Sequence, residues 1–363
     1  MNDRTVAAGI VGCGRISELH LKSMRESGVE PVAFCDVDAK LAEARCAEYG
    51  VDGATVHTHY AEMLAREGLD IVAIATPPMF HLNQTVDALQ AGKFVYSEKP
   101  VAPRLADFQA IFDAEQRGGK RAFFTTSRFR SKDGILMKEY IDEGRLGEVY
   151  RVDVKHLRGR GRPGIEYQPE SRWFLDRKVA ITGISGDMGL YFMDRAFHLT
   201  GWPDVVSVSG QVYRQFPHNL PNGTPYDVEE HLVFMARTAG KLTYTFEFAN
   251  ISHVAYTNSV VVLGTEGAIN GTIRLEDLEL RTERSVGHTV IERPAFKDEL
   301  SGDVIAYSAL VAAVNGEPYA LGTTSREAYE MHKVLHMAFQ SARERREISP
   351  SDIDESTEIF PGM

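Results

Sequence analysis

Short apolar runs and helical segments alternate through the first third of the chain, and this alternation limits the folds that it can adopt. The runs are bounded by glycine, proline or acidic residues and are apolar on both faces, as in parallel strands that helices cover from both sides. We therefore predict a doubly wound α/β domain over residues 1–127. The predicted strands are Val6–Val11, Pro31–Cys35, Asp70–Ala75, Phe94–Ser97 and Ala122–Thr126, and the predicted helices are Ile16–Ser27, Ala39–Tyr49, His81–Ala91 and Arg104–Gln116.

A glycine-rich turn, Gly12-Cys13-Gly14-Arg15-Ile16-Ser17, connects the first predicted strand to the first helix. Gly12 permits a tight turn, and Gly14 lets the backbone approach an anion at the helix N-terminus. Asp36 follows Gly14 by 22 residues, where a carboxylate accepts hydrogen bonds from ribose hydroxyls and repels a 2′-phosphate. The pattern favours a Rossmann dinucleotide site over a bare turn, and NAD over NADP. The residues assigned to this site are Gly12, Gly14, Arg15, Ile16 and Asp36.

From about Tyr150 the pattern changes to runs rich in β-branched and aromatic residues, and no long helix interrupts these runs after about Gly201. We predict an α+β domain over residues 128–363, built on a large, mostly antiparallel open sheet. The predicted strands are Val149–Val154, Val205–Val212, His231–Met235, Lys241–Phe248, Ser259–Leu263, Ile269–Ile273 and Leu278–Arg281, and the closing helices are Val304–Val314 and Ser325–Arg343.

The composition argues against several classes of partner and location. A formal net charge of −11 disfavours nucleic acid and anionic membranes as general partners. No apolar run is long enough to predict a transmembrane helix, and the N-terminal segment lacks the features of a secretory signal. The three cysteines include no CxxC pair and are expected to be free thiols. We therefore expect a cytoplasmic protein without a metal site.

The segment Gly186–Asp194 carries a carboxylate, a phenol and a second carboxylate at spacings of four and three residues. In a helix, Asp187, Tyr191 and Asp194 would share one face. This arrangement fits a proton relay, and it also fits ordinary polar residues near a helix end. We expect Asp194, which lies one turn beyond Tyr191, to be a structural partner.

The stretch His156–Gly164 combines three arginines with interspersed glycines. It is predicted either as a solvated surface loop or as a clamp for an oxygen-rich substrate, because guanidinium groups bind oxygens bidentately. Arg160 and Arg162 are the substrate-binding candidates from this stretch, and Arg128 is added to them. The ring of Trp173 would stack on the C–H face of a sugar or lie near a nicotinamide.

Together these motifs resemble those of the oxidoreductases grouped as glucose–fructose oxidoreductase, inositol dehydrogenase and MocA-like proteins, over nearly the whole chain. Their order and spacing carry the resemblance, because they link a dinucleotide fold to Glu-Lys-Pro and then to an Asp-x-Gly motif. The matching segments are GIVGCGRIS at 9–17, Asp36, ATPPMFH at 75–81, SEKP at 97–100, GRLGEV at 144–149, DMGLYFMD at 187–194 and Gln340-Ser341-Ala342.

The resemblance implies roles for individual residues. Lys99 matches a lysine that contacts the reacting oxygen beside the nicotinamide, and Pro100 matches a proline that is often cis. Asp187 matches the aspartate of the DxGxHxxD motif. Tyr191 stands where many members have histidine, although the subgroup similar to glucose–fructose oxidoreductase and dimeric dihydrodiol dehydrogenase has tyrosine there. Of three glycines usual before this aspartate, only Gly183 remains. Further cofactor contacts are expected from Thr76, Pro77, His81, Glu98, Lys99 and Trp173, with helix capping as the alternative for His81.

These residues predict hydride transfer between NAD and a secondary hydroxyl of a sugar, glycoside or cyclitol. Lys99 would lower the pKa of the Tyr191 phenol so that it exchanges the hydroxyl proton, while Asp187 would orient the lysine or bind a substrate hydroxyl. A dihydrodiol-type dehydrogenase, a redox cycle on tightly bound NAD and a non-catalytic NAD-binding regulator remain alternatives. In similar proteins a second subunit often covers the open sheet, so a homodimer or homotetramer is expected.

Overall fold

The computed structural model describes residues 5–272, 278–285, 288–294, 301–319 and 322–360. The helices are α1 (Arg15–Glu26), α2 (Ala39–Tyr49), α3 (Tyr60–Leu64), α4 (His81–Gln90), α5 (Phe108–Gly118), α6 (Lys132–Asp142), α7 (Arg177–Ala180), α8 (Leu190–Leu199), α9 (Gly302–Val314) and α10 (Ser325–Glu344). The strands are β1 (Val6–Val11), β2 (Val29–Cys35), β3 (Thr55–His57), β4 (Ile71–Ile74), β5 (Phe94–Ser97), β6 (Ala122–Phe124), β7 (Val149–Leu157), β8 (Val205–Tyr213), β9 (His231–Thr238), β10 (Thr243–Ala249), β11 (Thr257–Gly264), β12 (Gly267–Gly271), β13 (Glu279–Ser285), β14 (His288–Glu292) and β15 (Thr323–Thr324).

The chain divides into two compact units. The first lies within residues 1–102, 106–128 and 300–328, and the second within residues 103–105, 129–299 and 329–363. The sequence-based division placed one boundary at residue 127/128 and did not anticipate the return of residues 301–319 and 322–328 to the first unit. The return brings α9 into the core of the first unit, where Tyr307 and Leu310 are fully buried.

The sheet of the first unit has the order β15-β6-β5-β4-β1-β2-β3 in the described residues. Its strands pair in parallel, except that β15 is antiparallel to β6. Ile10, Phe34, Ile71 and Tyr96 are fully buried in their strands, which confirms the predicted parallel sheet. Because the order reverses between β1 and β4, the loops that follow these two strands meet at the carboxyl edge of the sheet.

The sheet of the second unit has the order β14-β13-β12-β11-β7-β10-β9-β8 in the described residues. Its strand pairs are antiparallel except β7 and β10, so the prediction of a large, mostly antiparallel sheet is confirmed. Phe192 and Phe197 of α8 share one buried core with Val154, Phe246 and Phe248 of the sheet. Helix α8 is thereby fixed against one face of this sheet.

Several elements were absent from the sequence-based prediction. Strand β3 and helix α3 are short and only partly buried, and α6 and β14 were also missed. Helix α5 begins at Phe108 rather than Arg104 because a 3₁₀ turn, Leu105–Asp107, precedes it. The predicted strand Ile269–Ile273 ends at Gly271, and Ile273 lies outside the described residues.

Two negative findings apply to the described ranges only. None of their helices combines the length and the low charge that crossing a bilayer requires. On α10, His332 and His336 have the four-residue spacing of a metal-binding pair. The described part of the chain nevertheless holds no group of three His, Cys, Asp or Glu side chains suited to a metal ion.

Candidate active site

The glycine turn after β1 packs directly against the end of β4. Gly12 has a φ of +87°, and a Cβ atom there would lie 2.6 Å from the carbonyl group of Ala75. Its amide also donates a hydrogen bond of 2.9 Å to the carbonyl oxygen of Cys35. Only glycine satisfies both the conformation and the contact, so Gly12 joins the ends of β1, β2 and β4.

The N-terminus of α1 faces open space. A Cβ atom at Gly14 would meet nothing within 4 Å, and no side chain caps the helix there in the described residues. Arg15 is exposed and Ile16 half-buried, whereas Ser17 is buried as close packing requires. The first amides of a helix without a side-chain cap attract anions, so this end of α1 is suited to a phosphate group.

The Asp36 carboxylate is fixed at the carboxyl end of β2 by two backbone amides. Its Oδ2 accepts a 2.7 Å hydrogen bond from the Cys13 amide, and its Oδ1 accepts a 2.9 Å bond from the Asp38 amide. The first bond ties the carboxylate to the glycine turn. The remaining lone pairs of the two oxygens are available to hydroxyl donors.

His81 connects the loops that follow β4 and β5. Its Nδ1 lies 2.8 Å from the carbonyl oxygen of Pro100, and its Nε2 lies 2.7 Å from that of Thr76. Burial lowers the pKa of His81, although both carbonyl groups favour the protonated ring. The Lys99–Pro100 peptide bond is cis. His81 is buried, so these contacts favour a role in shaping the loops over direct contact with a cofactor.

A buried carboxylate, Glu98, lies beside the candidate catalytic lysine. Its Oε1 is 2.8 Å from Arg128 Nη2 and 3.3 Å from His20 Nε2, and its Oε2 accepts a 2.8 Å bond from the Thr125 hydroxyl. Burial alone would raise the pKa of Glu98, but Arg128 and His20 hold it well below its usual range. The carboxylate is therefore charged and fixed, and Lys99 follows it at the carboxyl end of β5 with a half-buried side chain.

The same network continues from Arg128 to α9. Arg128 Nε donates a 2.6 Å hydrogen bond to Asp303 Oδ2, and the Tyr96 hydroxyl donates one of 2.7 Å to Asp303 Oδ1. Tyr307 contacts His20 Nδ1 at 2.9 Å and closes the network on the other side. Arg128 was predicted to bind substrate. Its contacts with two internal carboxylates instead favour a role in positioning Glu98.

In the second unit, Asp187 lies on a π-helical turn, Ser185–Gly189, that leads into α8. The predicted α-helical spacing of Asp187 and Tyr191 is therefore interrupted, and π turns of this kind occur frequently at functional sites. Asp187 is partly exposed, and its Oδ2 lies 3.7 Å from Arg158 Nη1. Arg158 Nη1 also donates hydrogen bonds of 2.9 Å to Asn250 Oδ1 and 3.1 Å to the Gly161 carbonyl oxygen.

Tyr191 and Asp194 have different surroundings on α8. Tyr191 is 5% exposed, and its ring packs against Phe129 with a centroid distance of 4.9 Å. Asp194 is buried and accepts two hydrogen bonds, of 2.8 and 2.9 Å, from the Arg130 guanidinium. This bidentate pair supports the expected structural role of Asp194.

The arginine stretch is held largely by internal ion pairs. Arg162 is buried, with Nη2 2.6 Å from Glu166 Oε1 and Nη1 2.9 Å from Glu230 Oε1. Burial alone would raise the pKa of Glu166, but Arg162 lowers it to about 2. These pairs favour a structural role for Arg162 over the predicted substrate contact. Arg160 is mostly exposed, with Nε 3.0 Å from Glu166 Oε1.

Trp173 lies in a 3₁₀ turn, Arg172–Leu175, of the second unit and is half-buried. Its ring stacks on that of Phe174, with a centroid distance of 3.8 Å and an interplanar angle of 21°. The Phe174 side chain thus covers one face of the Trp173 ring.

Family comparisons match both units. Residues 6–126 match the oxidoreductase family with an NAD-binding Rossmann fold, and residues 135–270 match the GFO/IDH/MocA C-terminal domain. The chain belongs to the GFO/IDH/MocA oxidoreductase family. Membership confirms the predicted fold class and a first domain of the NAD-binding Rossmann type.

Curated relatives of the family match parts of the chain. Inositol 2-dehydrogenase of Salmonella typhimurium is 36% identical over 155 residues, which cover 42% of this chain and 46% of that protein. D-glucoside 3-dehydrogenase of Escherichia coli is 27% identical over 219 residues, which cover 59% of this chain and 60% of that protein. The chain thus spans about half the length of these relatives.

A solved structure has the same fold over most of the chain. Levoglucosan dehydrogenase, in complex with NADH and levoglucosan, has a TM-score of 0.84 and 18% sequence identity, and the match covers 95% of this chain and 99% of that one.

The predicted site residues of this family member fall into two sets. The first unit holds the predicted cofactor residues other than Trp173, together with Lys99 and Arg128, and the second holds Asp187, Tyr191, Trp173, Arg160 and Arg162. The sequence analysis missed Arg158 as the partner of Asp187, although the arginine stretch was recognised. It also missed Glu229, a buried carboxylate with no motif around it, and His156. The ring nitrogens of His156 have no hydrogen-bond partner in the described part of the chain.

Proposed function

We propose that this protein is an NAD(H)-dependent oxidoreductase that transfers hydride to or from a secondary hydroxyl or ketone carbon of a sugar, glycoside or cyclitol. One observation carries the proposal: Lys99 follows a charged, fully hydrogen-bonded Glu98 at the carboxyl edge of the NAD-binding Rossmann domain. In doubly wound α/β folds, ligands bind at this edge. A lysine that follows a fixed residue there is suited to contact a reacting oxygen.

The residues of the first unit fit NAD. The open space above Gly14 and the end of α1 without a side-chain cap suit a pyrophosphate, and the anchored Asp36 carboxylate suits ribose hydroxyls. Thr76 and Pro77 lie in the loop that His81 joins to Pro100. The nicotinamide, when bound, supplies the hydride acceptor or donor.

Lys99 and Tyr191 exchange the proton in this proposal. A phenol has an ordinary pKa near ~10 and is a weak base at neutral pH. An ammonium group near it favours the phenolate, so Lys99 would activate Tyr191 and stabilise negative charge on the substrate oxygen. In the reductive direction the phenol returns the proton to that oxygen.

Asp187 binds a substrate hydroxyl or orients Lys99 in this proposal. Its ion pair with Arg158 leaves the pair with little net charge, which suits neutral polyols better than acidic sugars. The names of the relatives, an inositol dehydrogenase and a glucoside dehydrogenase, support the same substrate class.

The test follows absorbance at the NADH band while the purified protein and NAD⁺ are mixed with inositols, glycosides, aldoses, uronates and an aromatic trans-dihydrodiol. Repeated turnover with a neutral polyol is expected. A preference for the dihydrodiol would place the enzyme among dihydrodiol dehydrogenases. Reaction of a retained nucleotide once per subunit would indicate a redox cycle, and NAD binding without any hydride transfer would contradict the proposal in favour of a regulator.

The oligomeric state and location remain predictions. A homodimer or homotetramer is expected, and light scattering of the purified protein measures which of the two forms. A cytoplasmic location is expected, and fractionation of the source cells measures it.

A further inference from the structure

We propose that Glu229 is a positioning residue for Asp187, an inference that rests on the proposed function. Glu229 lies between β8 and β9 and is 3% exposed. Its carboxylate accepts hydrogen bonds from residues within 182–185, a segment that ends two positions before Asp187. The same carboxylate has no ion pair with a lysine, arginine or histidine among the described residues.

Both carboxylate oxygens of Glu229 are used by this short segment. Oε1 accepts a 2.9 Å bond from the Ser185 amide, a 2.8 Å bond from the Thr182 hydroxyl and a bond from the Ser185 hydroxyl. Oε2 accepts a 2.8 Å bond from the Gly183 amide. Four donors of this turn therefore compensate the loss of solvent around the buried carboxylate.

The contact continues through the backbone to Asp187. The Gly183 amide donates to Glu229, and the Gly183 carbonyl oxygen accepts a 2.9 Å hydrogen bond from the Asp187 amide. Two consecutive hydrogen bonds therefore connect the Glu229 carboxylate to the backbone of Asp187. A carboxylate at the N-terminal end of a helical segment also interacts favourably with its exposed amides.

The backbone of Glu229 approaches the same turn closely. A Cβ atom at Gly183 would lie 2.0 Å from the Glu229 carbonyl oxygen, and the Ile184 amide lies 3.4 Å from that oxygen. Only glycine fits at position 183 for this reason. Of the three upstream glycines implied by the resemblance, the one that remains, Gly183, is thus the one that Glu229 contacts.

The hydrogen bonds from Glu229 affect the position of Asp187 because they hold the start of the π turn. Asp187 lies in the turn Ser185–Gly189, and its Oδ2 is 3.7 Å from Arg158 Nη1. Loss of the acceptors for Gly183 and Ser185 would release the start of the turn and shift Asp187 relative to Arg158. A displacement of about 1 Å is enough to cost roughly 100-fold in turnover.

Glu230 offers a matched control. It is as deeply buried as Glu229, and its carboxylate accepts hydrogen bonds from Arg162, Tyr226 and the amides of Gln215 and Phe216. None of these donors belongs to residues 182–187. Glu229→Gln and Glu230→Gln therefore remove the same charge from neighbouring positions, with only the first touching the turn.

The experiment compares both variants with the wild-type protein by amide hydrogen exchange, without ligands, and by steady-state kinetics on the best polyol. For Glu229→Gln we expect about 10-fold faster exchange in peptides covering 183–187 and a kcat lowered about 10- to 100-fold, with the KM for NAD unchanged. Glu229→Asp, which keeps the carboxylate, should bring both the exchange rate of 183–187 and kcat part of the way back to the wild-type values. Glu230→Gln should leave the exchange of 183–187 at the wild-type rate.

The inference would be overturned if the amides of 183–187 exchanged at equal rates in Glu229→Gln and Glu230→Gln. It would also be overturned if Glu230→Gln lowered kcat as much as Glu229→Gln does. If Glu229→Gln does not fold, Thr182→Val removes one donor only, and faster exchange of 183–187 in this variant is the deciding result. A wild-type protein that transfers no hydride would contradict the proposed function, whereas the exchange comparison still decides the positioning role.

Discussion

Arg158 of the arginine stretch forms an ion pair with Asp187 of the candidate catalytic motif, with 3.7 Å between Nη1 and Oδ2. The guanidinium is held from behind by the Asn250 side chain and the Gly161 carbonyl oxygen. A group fixed in this way limits the orientations of Asp187. Arg158 and Asp187 are 29 positions apart in sequence, so spacing along the chain gave no indication of this ion pair.

Replacing Arg158 with glutamine should lower kcat/KM for the polyol about 10-fold, because Asp187 loses the cation that fixes its carboxylate. The dissociation constant for NAD should not change. Arg151→Gln is the matched control, since Arg151 lies on β7, which ends directly before Arg158, and pairs only with Asp153 in the described residues. A similar loss in both variants would show that the effect is general charge removal.

Replacing Tyr191 with phenylalanine should lower kcat at least about 100-fold, the usual contribution of a positioned acid–base group. The packing of the ring against Phe129 is kept by phenylalanine, so stability should change little. Turnover and NAD affinity are measured in the same preparation. Tyr150→Phe, at an exposed position of β7, serves as the control. Parallel losses of turnover and NAD binding would assign Tyr191 a structural role.

Replacing Asp36 with serine should weaken NAD binding about 10-fold and improve the relative use of NADP. The ribose hydroxyls would lose a charged acceptor, and the repulsion of a 2′-phosphate would disappear. Asp38→Asn is the control because Asp38 caps α2 by accepting from the Lys40 amide, and asparagine keeps that role. An unchanged NAD/NADP ratio in Asp36→Ser would contradict the assignment. Fluorescence titration with both reduced cofactors gives the ratio.

Replacing Asp303 with asparagine should destabilise the first unit by about 3–5 kcal/mol, because Arg128 would keep a buried charge with one partner fewer. Chemical unfolding measures the change. Asp113→Asn, at a partly exposed position of α5 where the carboxylate accepts a hydrogen bond from the solvent-exposed Gln109 side chain, should have almost no effect. A loss of less than about 1 kcal/mol would mean that solvent compensates Arg128.

The strands and helices that could be predicted from sequence are those with a long or fully apolar pattern. Buried strands such as β1 and β5 were located with correct bounds, because helices cover both of their faces. Strand β3 and helix α3 have three and five residues, too few for a period to be visible. The spacing of Asp187 and Tyr191 is equally compatible with an α-helix, so the π turn could not be foreseen.

Charged residues were the least predictable part of the site. Arg128 was assigned to substrate, yet it pairs with Asp303, which lies 175 residues away in sequence. Arg162 likewise pairs with Glu230 across 68 residues. An arginine that pairs with an internal carboxylate cannot be distinguished in sequence from an arginine that binds substrate, because only the fold brings the distant carboxylate next to it. The glycine turn and Asp36 were recognisable because both partners lie within one strand–helix–strand unit.

Acid should destabilise the second unit between about pH 6.5 and 4. Burial and a nearby arginine lower the pKa of His156, His198 and His336 to about 4 in the folded state. In the unfolded chain a histidine has its ordinary pKa of ~6.5 and binds a proton below that pH, whereas in the folded chain these three histidines stay neutral until about pH 4. The free energy of unfolding therefore falls as pH decreases through this window. Each histidine contributes up to about 1.4 kcal/mol per pH unit.

Urea unfolding of the second unit at pH 7, 6 and 5, followed by hydrogen exchange of α8 peptides, measures this slope. His198→Phe should reduce it by the share of one histidine, because phenylalanine cannot take up a proton in the unfolded state. His253→Asn is the matched control, since His253 is exposed and asparagine tolerates its φ of +61°. If His198→Phe keeps the wild-type dependence of the free energy of unfolding on pH, groups other than His198 cause the loss of stability in acid. If both variants reduce this dependence, the effect arises from the unfolded state alone.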